Sequence, residues 1–550
     1  MRFNVIDIPE GSTRIGRLDP DRRVNMTVVL AQKAPLPPLH SSAPASTGHG
    51  SGTHPRTKYF THAELRKAHG AVSGSAEIVT RFAEQHKLTV VEAAPQRRTI
   101  RLSGRSADIE RAFKTRLEEF RHKGSIFYAP SRPIEVPENW AGMVEIVLGL
   151  HNFPHSRPRR RSSLCCSEPS SQLHDLARAY RFPPDLDATG QTIGLIEFGG
   201  GFYPDDIEAF CRRFHIKPPK ITVAKIGSGD NQPADRRAIH HLLDALAGTI
   251  SLAAGATESD SFLAAQCTAE VTMDIEVLAA LAPAAHIVTY FAPGDEQGLY
   301  HAINHAVHDE HNKPDILSIS WGMPEHAVTA AEVHALEGVL HEAAHLGISI
   351  FASSGDSGAT NGSENGALSV NYPASSPQCL SCGGTSGKIV NGEIHEEVVW
   401  NATHFGIKGA SGGGVSNRFR IPAWQQNAQV PAGPGDTPGR GVPDVAGLAD
   451  PRYGCELLMA DRTFASAGTS AVVVIWAALI ARINQGLGRR CGHLHPYLYS
   501  LGKERRTGLH PVLKGNNGYY HAGEGWNACA GYGTPRGDAL LESLRHMHRA

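Results

Sequence analysis

The pattern of apolar and polar positions changes character near residue 154. Upstream of it, strand-like and helix-like periods mix. Asn25–Lys33 and Thr99–Ser103 predict strands, while Ala63–His69, Ser75–His86 and Ser106–Leu117 predict helices. Downstream, short unbroken apolar runs at Thr192–Phe198, His286–Phe291, Ile316–Trp321 and Ile348–Ser353 predict strands buried on both faces. Helical segments, among them Gly298–His308 and Ala330–His345, alternate with these runs. Such alternation predicts an α/β domain, a parallel sheet with helices on both faces. One further run, Ala471–Ile483, has no charge before Arg482 and is longer than a strand, so it predicts a buried helix. The chain has no internal repeat.

Composition refines this division. At 550 residues the chain is too long for one ordinary domain. Residues 154–172 carry proline, serine and Arg157, Arg159, Arg160 and Arg161 without apolar periodicity, which predicts an exposed, cleavable basic linker. Residues 34–57, rich in Pro, Ser, Gly and His, read as a mobile insertion. Apolar residues at 41% and charged residues at 19% describe a globular chain with ample core. A formal net charge of −1 gives no global case for nucleic-acid or membrane partners. No transmembrane helix is expected, and the amino terminus lacks a basic-then-apolar signal pattern. Nine cysteines, two of them adjacent at Cys165-Cys166, do not make a secreted disulfide framework; Cys379 and Cys382 read as buried thiols.

Candidate chemistry starts at Gly468-Thr469-Ser470-Ala471, where a serine heads the long apolar run. At a helix start it meets unpaired N–H groups and the positive end of the dipole, which suits a nucleophile that will carry an oxyanion. A base must then be found. Glu270 and Asp274 are four residues apart and share a helix face, amid Met273, Ile275, Val277 and Leu278. Two carboxyls held close in apolar surroundings share a proton and split their pKa values, so this pair could relay the serine proton. Three other patterns compete. His341-Glu342-Ala343-Ala344-His345 is a literal HExxH, the helical zinc motif, in a chain with 30 histidines. Gly355-Asp356-Ser357-Gly358 resembles the nucleophile segment of trypsin-like proteases, yet it ends a strand of an α/β unit. His49-Gly50-Ser51-Gly52-Thr53-His54 resembles the histidine segment of subtilisins, but it lies in the insertion, where no rigid scaffold holds a base.

Taken together the motifs resemble the sedolisins, the serine-carboxyl peptidases, in the form of a full-length proenzyme. Val90–Ala93 and Arg101–Phe113 resemble the propeptide, and Asp175–Tyr180 resembles the start of the mature enzyme. Glu270–Val277, Ser318–Gly322, Ser354–Gly358, Gly412–Ser416, Gly439–Ala446 and Gly468–Ala471 then follow in order. The resemblance implies a ferredoxin-like α+β prodomain over residues 1–161 and a subtilisin-like peptidase domain over 162–550. It implies Ser470 as nucleophile, Glu270 as general base, Asp274 as the carboxyl sharing its proton, and Asp356 as oxyanion donor. A carboxyl donates only when protonated, so acid-pH activity is expected. Trp321, Gly322 and Asn371 are expected at the substrate site, with Asn371 lacking the acid that would favour Arg or Lys before the scissile bond. The expected partners are polypeptide substrates and the chain's own prodomain as intramolecular inhibitor, the protein being a monomer. Extracellular location is implied by the resemblance alone.

Two further departures stand out. The two aspartates of the family's calcium site are Pro511 and Asn527 here, leaving only the carbonyls of Val512, Gly523 and Gly525. No cofactor or metal is therefore expected, since calcium affinity depends on ligand charge. Val474 stands where the family has proline. Two readings rival the acid peptidase: a zinc peptidase on His341 and His345, and a non-catalytic peptide-binding descendant.

Overall fold

The computed structural model describes residues 2–3, 8, 11–39, 59–122, 125–153, 171–246, 259–363, 365–403, 409–503 and 508–546. The expectations for residues 40–57, for His49–His54 and for the linker from 154 to 170 lie outside the described residues, as do Cys165 and Cys166.

The amino-terminal unit contains β1 (Arg23–Leu30), α1 (His62–His69), α2 (Ser75–Gln85), β2 (Thr89–Ala94), β3 (Thr99–Arg105), α3 (Ser106–Ala112) and β4 (Val144–Leu148). The strands lie in the order β2-β3-β1-β4 with every neighbour antiparallel, the ferredoxin-like arrangement. Alternation along β1 decides what each face buries. Val24, Met26, Val28 and Leu30 point to the unit's own core, with Phe82, Phe113 and Trp140. Val29 points the other way and joins a core shared with the second domain. The expected helix Ser106–Leu117 is shorter than its pattern: it ends at Ala112 because Lys114 adopts φ 48°. Leu117–His122 is instead a strand pairing with Thr13–Arg17 and Ser125–Pro130.

The second domain is built on eight strands: β5 (Thr192–Phe198), β6 (Lys220–Lys225), β7 (His286–Ala292), β8 (Ile316–Ile319), β9 (Ser349–Ser353), β10 (Leu380–Val390), β11 (Glu393–Val399) and β12 (Val445–Leu448). Their order is β6-β7-β5-β8-β9-β10-β11, with β12 also on β10. All pairs are parallel except β10–β11. On one face lie α4 (Asp260–Leu281) and α7 (Gly468–Leu487); on the other lie α5 (Glu296–Val307) and α6 (Ala330–His345). Both α4 and α7 are apolar on nearly every side, as helices enclosed in a core must be. By length and composition α7 could span a bilayer, but its apolar surface is covered by the sheet and α4. The ferredoxin-like sheet lies against α5 and α6, so the two units share one buried core.

Candidate active site

Parallel strands all deliver their carboxyl ends to one edge, where open α/β sheets place their ligands. Here that edge receives Glu197 near the end of β5, Ser320 and Trp321 just beyond β8, and Asp356 beyond β9. From the helix layer α4 adds Glu270 and Asp274, and the first turn of α7 adds Ser470. Gly468 opens α7 at φ 78°, a conformation that glycine adopts without a Cβ penalty, and thereby turns the chain sharply into the helix.

Ser470 is 8% exposed. Its hydroxyl donates to the Ser320 carbonyl at 3.3 Å, and it also interacts with the Glu270 carboxyl. Asp274, 1% exposed, accepts from Ser320 Oγ at 2.7 Å. Glu197 accepts from the Trp321 indole N–H at 3.0 Å. One oxygen of each carboxyl (Glu197 Oε1, Glu270 Oε1 and Asp274 Oδ1) has no hydrogen-bond partner among the described residues. Three carboxyls so close, Glu197 and Asp274 buried and Glu270 half-buried, cannot all carry charge. Burial of its carboxyl pushes Glu270 up to about 7; the Ser470 hydroxyl pulls against the rise and the Asp356 charge adds to it. Burial likewise pushes Glu197 up to about 8, opposed by the Trp321 bond and aided by the Glu270 charge. Asp274 is driven well above the carboxylate range by burial first, then by the charges of Glu197 and Glu270. The arrangement is a shared store of protons beside a serine hydroxyl.

Asp356 is tied to Thr469, the residue before the serine. Its Oδ1 accepts two bonds of 2.8 Å, from the Thr469 backbone N–H and from Thr469 Oγ1. Thr469 Oγ1 in turn accepts from Gly355 N–H at 3.2 Å. A cleft of about 200 Å³ opens beside Asp356, with Ser357, Thr360, Asn401 and Asn517 among its lining residues.

The structure thus brings together Ser470, Glu270, Asp274 and Asp356. Trp321 is 8% exposed, bonded to Glu197 and edge-on to Phe198 at 5.9 Å, so it belongs to the carboxyl cluster rather than to an open wall. Gly322 and Asn371 abut: a Cβ on Gly322 would lie 2.3 Å from Asn371 Nδ2. Asn371 is buried, giving its amide N–H to the Ser353 carbonyl and accepting from Asn361. Sequence reading missed Glu197, Ser320 and Thr469. Glu197 did leave a signal, a lone carboxyl inside the apolar run Leu195-Ile196-Glu197-Phe198.

The rival metal motifs are committed elsewhere. Glu342 bonds Arg98, Gln32 and His308, and His345 Nε2 lies 2.9 Å from the Pro37 carbonyl. At the other candidate, Asn527 Oδ1 accepts from the backbone N–H of Cys529 and Ala530, while its amide nitrogen donates to the Val512 carbonyl at 3.4 Å. Cys379 and Cys382 are buried free thiols.

Residues 10–153 match the family model described as the pro-kumamolisin activation domain, and residues 245–446 match the subtilase family. The chain is 37% identical to kumamolisin from Bacillus sp. (strain MN-32) over 549 residues, covering 96% of this chain and 93% of that protein. It is 25% identical to sedolisin from Pseudomonas sp. (strain 101) over 508 residues, covering 87% of this chain and 80% of that one. The solved structure of Pseudomonas sedolisin, a serine-carboxyl proteinase complexed with two molecules of pseudo-iodotyrostatin, superimposes with a TM-score of 0.58 at 25% identity. That match covers 69% of this chain and 99% of the solved one.

Proposed function

Because this chain belongs to the sedolisin family of serine-carboxyl peptidases, we propose that it is a self-processing zymogen of an acid-active endopeptidase. The observation that carries this reading is the half-buried Glu270 carboxyl, which interacts with the Ser470 hydroxyl and stands beside the buried carboxyls of Asp274 and Glu197. In the proposed cycle Ser470 Oγ attacks the scissile carbonyl and its proton passes to Glu270, with Asp274 and Glu197 spreading the added proton over the buried cluster. A protonated Asp356 donates to the oxyanion, the role that fixed donors play in acyl transfer. Collapse of the tetrahedral intermediate breaks the peptide bond, the leaving amine takes the proton back, and water then releases the acyl group.

A carboxyl donates a hydrogen bond only when protonated, so the oxyanion role proposed for Asp356 requires acid. Activity is therefore expected to fall toward neutrality. Hydrolysis of an unstructured peptide between about pH 3 and pH 7 tests the assignment, comparing the natural enzyme with Ser470→Ala and Glu270→Gln, the pH dependence of kcat/KM reporting the ionisations of the free enzyme. Retained turnover in Ser470→Ala would overturn it.

The prodomain is assigned residues 1–161 and the peptidase domain 162–550, with processing in the basic linker. Asn371, uncharged and already paired, supports a subsite without a preference for Arg or Lys. No calcium requirement is proposed, because the Asn527 amide N–H points at the Val512 carbonyl that a cation would need.

A further inference from the structure

Helix α5 presents one stripe to the ferredoxin-like unit, made of Gln297, His301, Asn304, His305 and His308, at helical spacing. Every member meets that unit or its anchor. Thr27 Oγ1 of β1 donates to Gln297 Oε1 at 2.7 Å and lies 2.8 Å from His301 Nε2. With the hydroxyl proton committed to Gln297, the contact is a donation from the imidazole Nε2–H to Thr27 Oγ1. Asn304 Nδ2 donates to the Arg97 carbonyl at 3.1 Å, and His305 Nε2 lies 4.0 Å from Glu92. His308 joins Glu342 of α6 at 3.0 Å.

We propose that His301 and His305 are the acid sensor that releases the prodomain from the peptidase domain, set against an anchor at Glu342. This rests on the reading of the amino-terminal unit as an inhibitory prodomain.

The charged groups facing the two histidines give the sign. Across the interface stand Arg97 and Arg101, with Glu92 as the facing carboxylate, paired to both arginines; along the helix stands His308. Protonating both imidazoles would set four cations against one carboxylate at an interface where His301 is buried and the other groups are partly exposed. Burial, then Arg101, His305 and Arg97, hold His301 well below its ordinary value of 6.5. Burial and Arg97 hold His305 at about 4, against the pull of Glu92. A histidine held low in the closed state leaves the interface intact above 6.5 and weakens it as pH falls from there to the closed-state value. For His305 alone that span corresponds to roughly a hundredfold loss of closure.

The anchor behaves oppositely. Arg98, 4% exposed, bonds Glu342 at 2.9 Å and Glu145 at 2.7 Å, and Gln32 bonds Glu342 at 2.8 Å. Burial would raise Glu342, but Arg98, His308 and Gln32 outweigh it and hold the carboxyl at about 2. His334, paired with Glu145 at 2.8 Å, is raised and so grips harder in acid. The anchor keeps the partners in register while the histidine stripe opens, which gives the HExxH glutamate a structural use.

The test uses the full chain carrying Ser470→Ala, so that opening is read without self-cleavage. The rate at which an added aspartic protease degrades the amino-terminal unit follows the open population when reclosing is fast. Adding His301→Gln and His305→Gln is expected to slow that rate at about pH 4 by roughly a hundredfold, with the ratio returning to unity near neutrality. Arg97→Gln with Arg101→Gln should also shift opening to lower pH, and decides the matter if the histidine variant does not fold. Glu92→Gln should shift opening to higher pH. Curves that superimpose on Ser470→Ala alone overturn the sensor. None of these readouts needs hydrolysis by the chain itself, so a failed sensor and a failed nucleophile assignment give different results.

Discussion

Replacing Thr469 by valine isolates what the threonine hydroxyl does, because valine keeps the shape and the backbone N–H. In the structure Asp356 Oδ1 accepts both Thr469 donors at 2.8 Å, and Gly355 N–H ends on the same hydroxyl at 3.2 Å. An oxygen that already accepts two hydrogen bonds is a poor place for the acid proton, which is thereby steered to Oδ2. Removing the hydroxyl deletes one of the two bonds to Oδ1 and loosens the orientation of the carboxyl. Complete loss of an oxyanion donor costs about a hundredfold to a thousandfold in kcat. A donor still present but misaimed should cost about ten- to a hundredfold, in kcat rather than KM, because the contact matters only once the oxyanion forms. Leaving Gly355 N–H without its acceptor adds about 1 kcal/mol of destabilisation. Steady-state kinetics on one peptide at a fixed acid pH, with circular dichroism confirming the fold, measures both. Thr469→Ser should restore kcat. A folded Thr469→Val enzyme whose kcat stays within about twofold of the natural one refutes the steering argument, since twofold is well below the cost of losing an oxyanion donor.

Other outcomes follow from the same contacts. Ser320→Ala removes the 2.7 Å donor to Asp274 but keeps the carbonyl that faces Ser470; kcat should fall about tenfold, within the range of general-base effects, and unchanged turnover would show that Asp274 needs no such support. Glu337, bonded to Tyr372 and Ser376, is pushed by burial to about 7. A carboxyl raised on folding stabilises below its unfolded value and loses that contribution as pH rises to the folded one, so up to about 3 kcal/mol should disappear between about pH 4.5 and 7. Glu337→Gln should flatten that slope in denaturant titrations, and an unaltered slope would place its origin elsewhere. With Asn527 already paired to Val512, calcium and EDTA should leave the melting temperature equal; a clear upward shift with calcium would reveal a cation site after all.

The apolar runs of β5, β7, β8 and β9 and the long apolar helix α7 were legible along the chain, because a strand or helix enclosed on all sides must be apolar throughout. So was the Glu270–Asp274 pair, whose closeness is a property of one helix. The early end of α3 was not, since the apolar period continues past Ala112 while the backbone turns at Lys114. Contacts between distant segments were equally hidden. Glu197 and Trp321 are 124 positions apart, and Thr469 and Asp356 are 113 apart; no local period can encode such meetings. The HExxH helix shows the limit most plainly. Its sequence does place His341 and His345 on one face, with ring centroids 4.9 Å apart, yet the use of Glu342 was decided by Arg98, 244 positions away. Sequence alone determined which residues were chemically able to act and which stretches would be buried. Tertiary structure decided which of them share a dry site, because burial and neighbouring charge, and not residue type, set whether a carboxyl holds a proton or an ion pair.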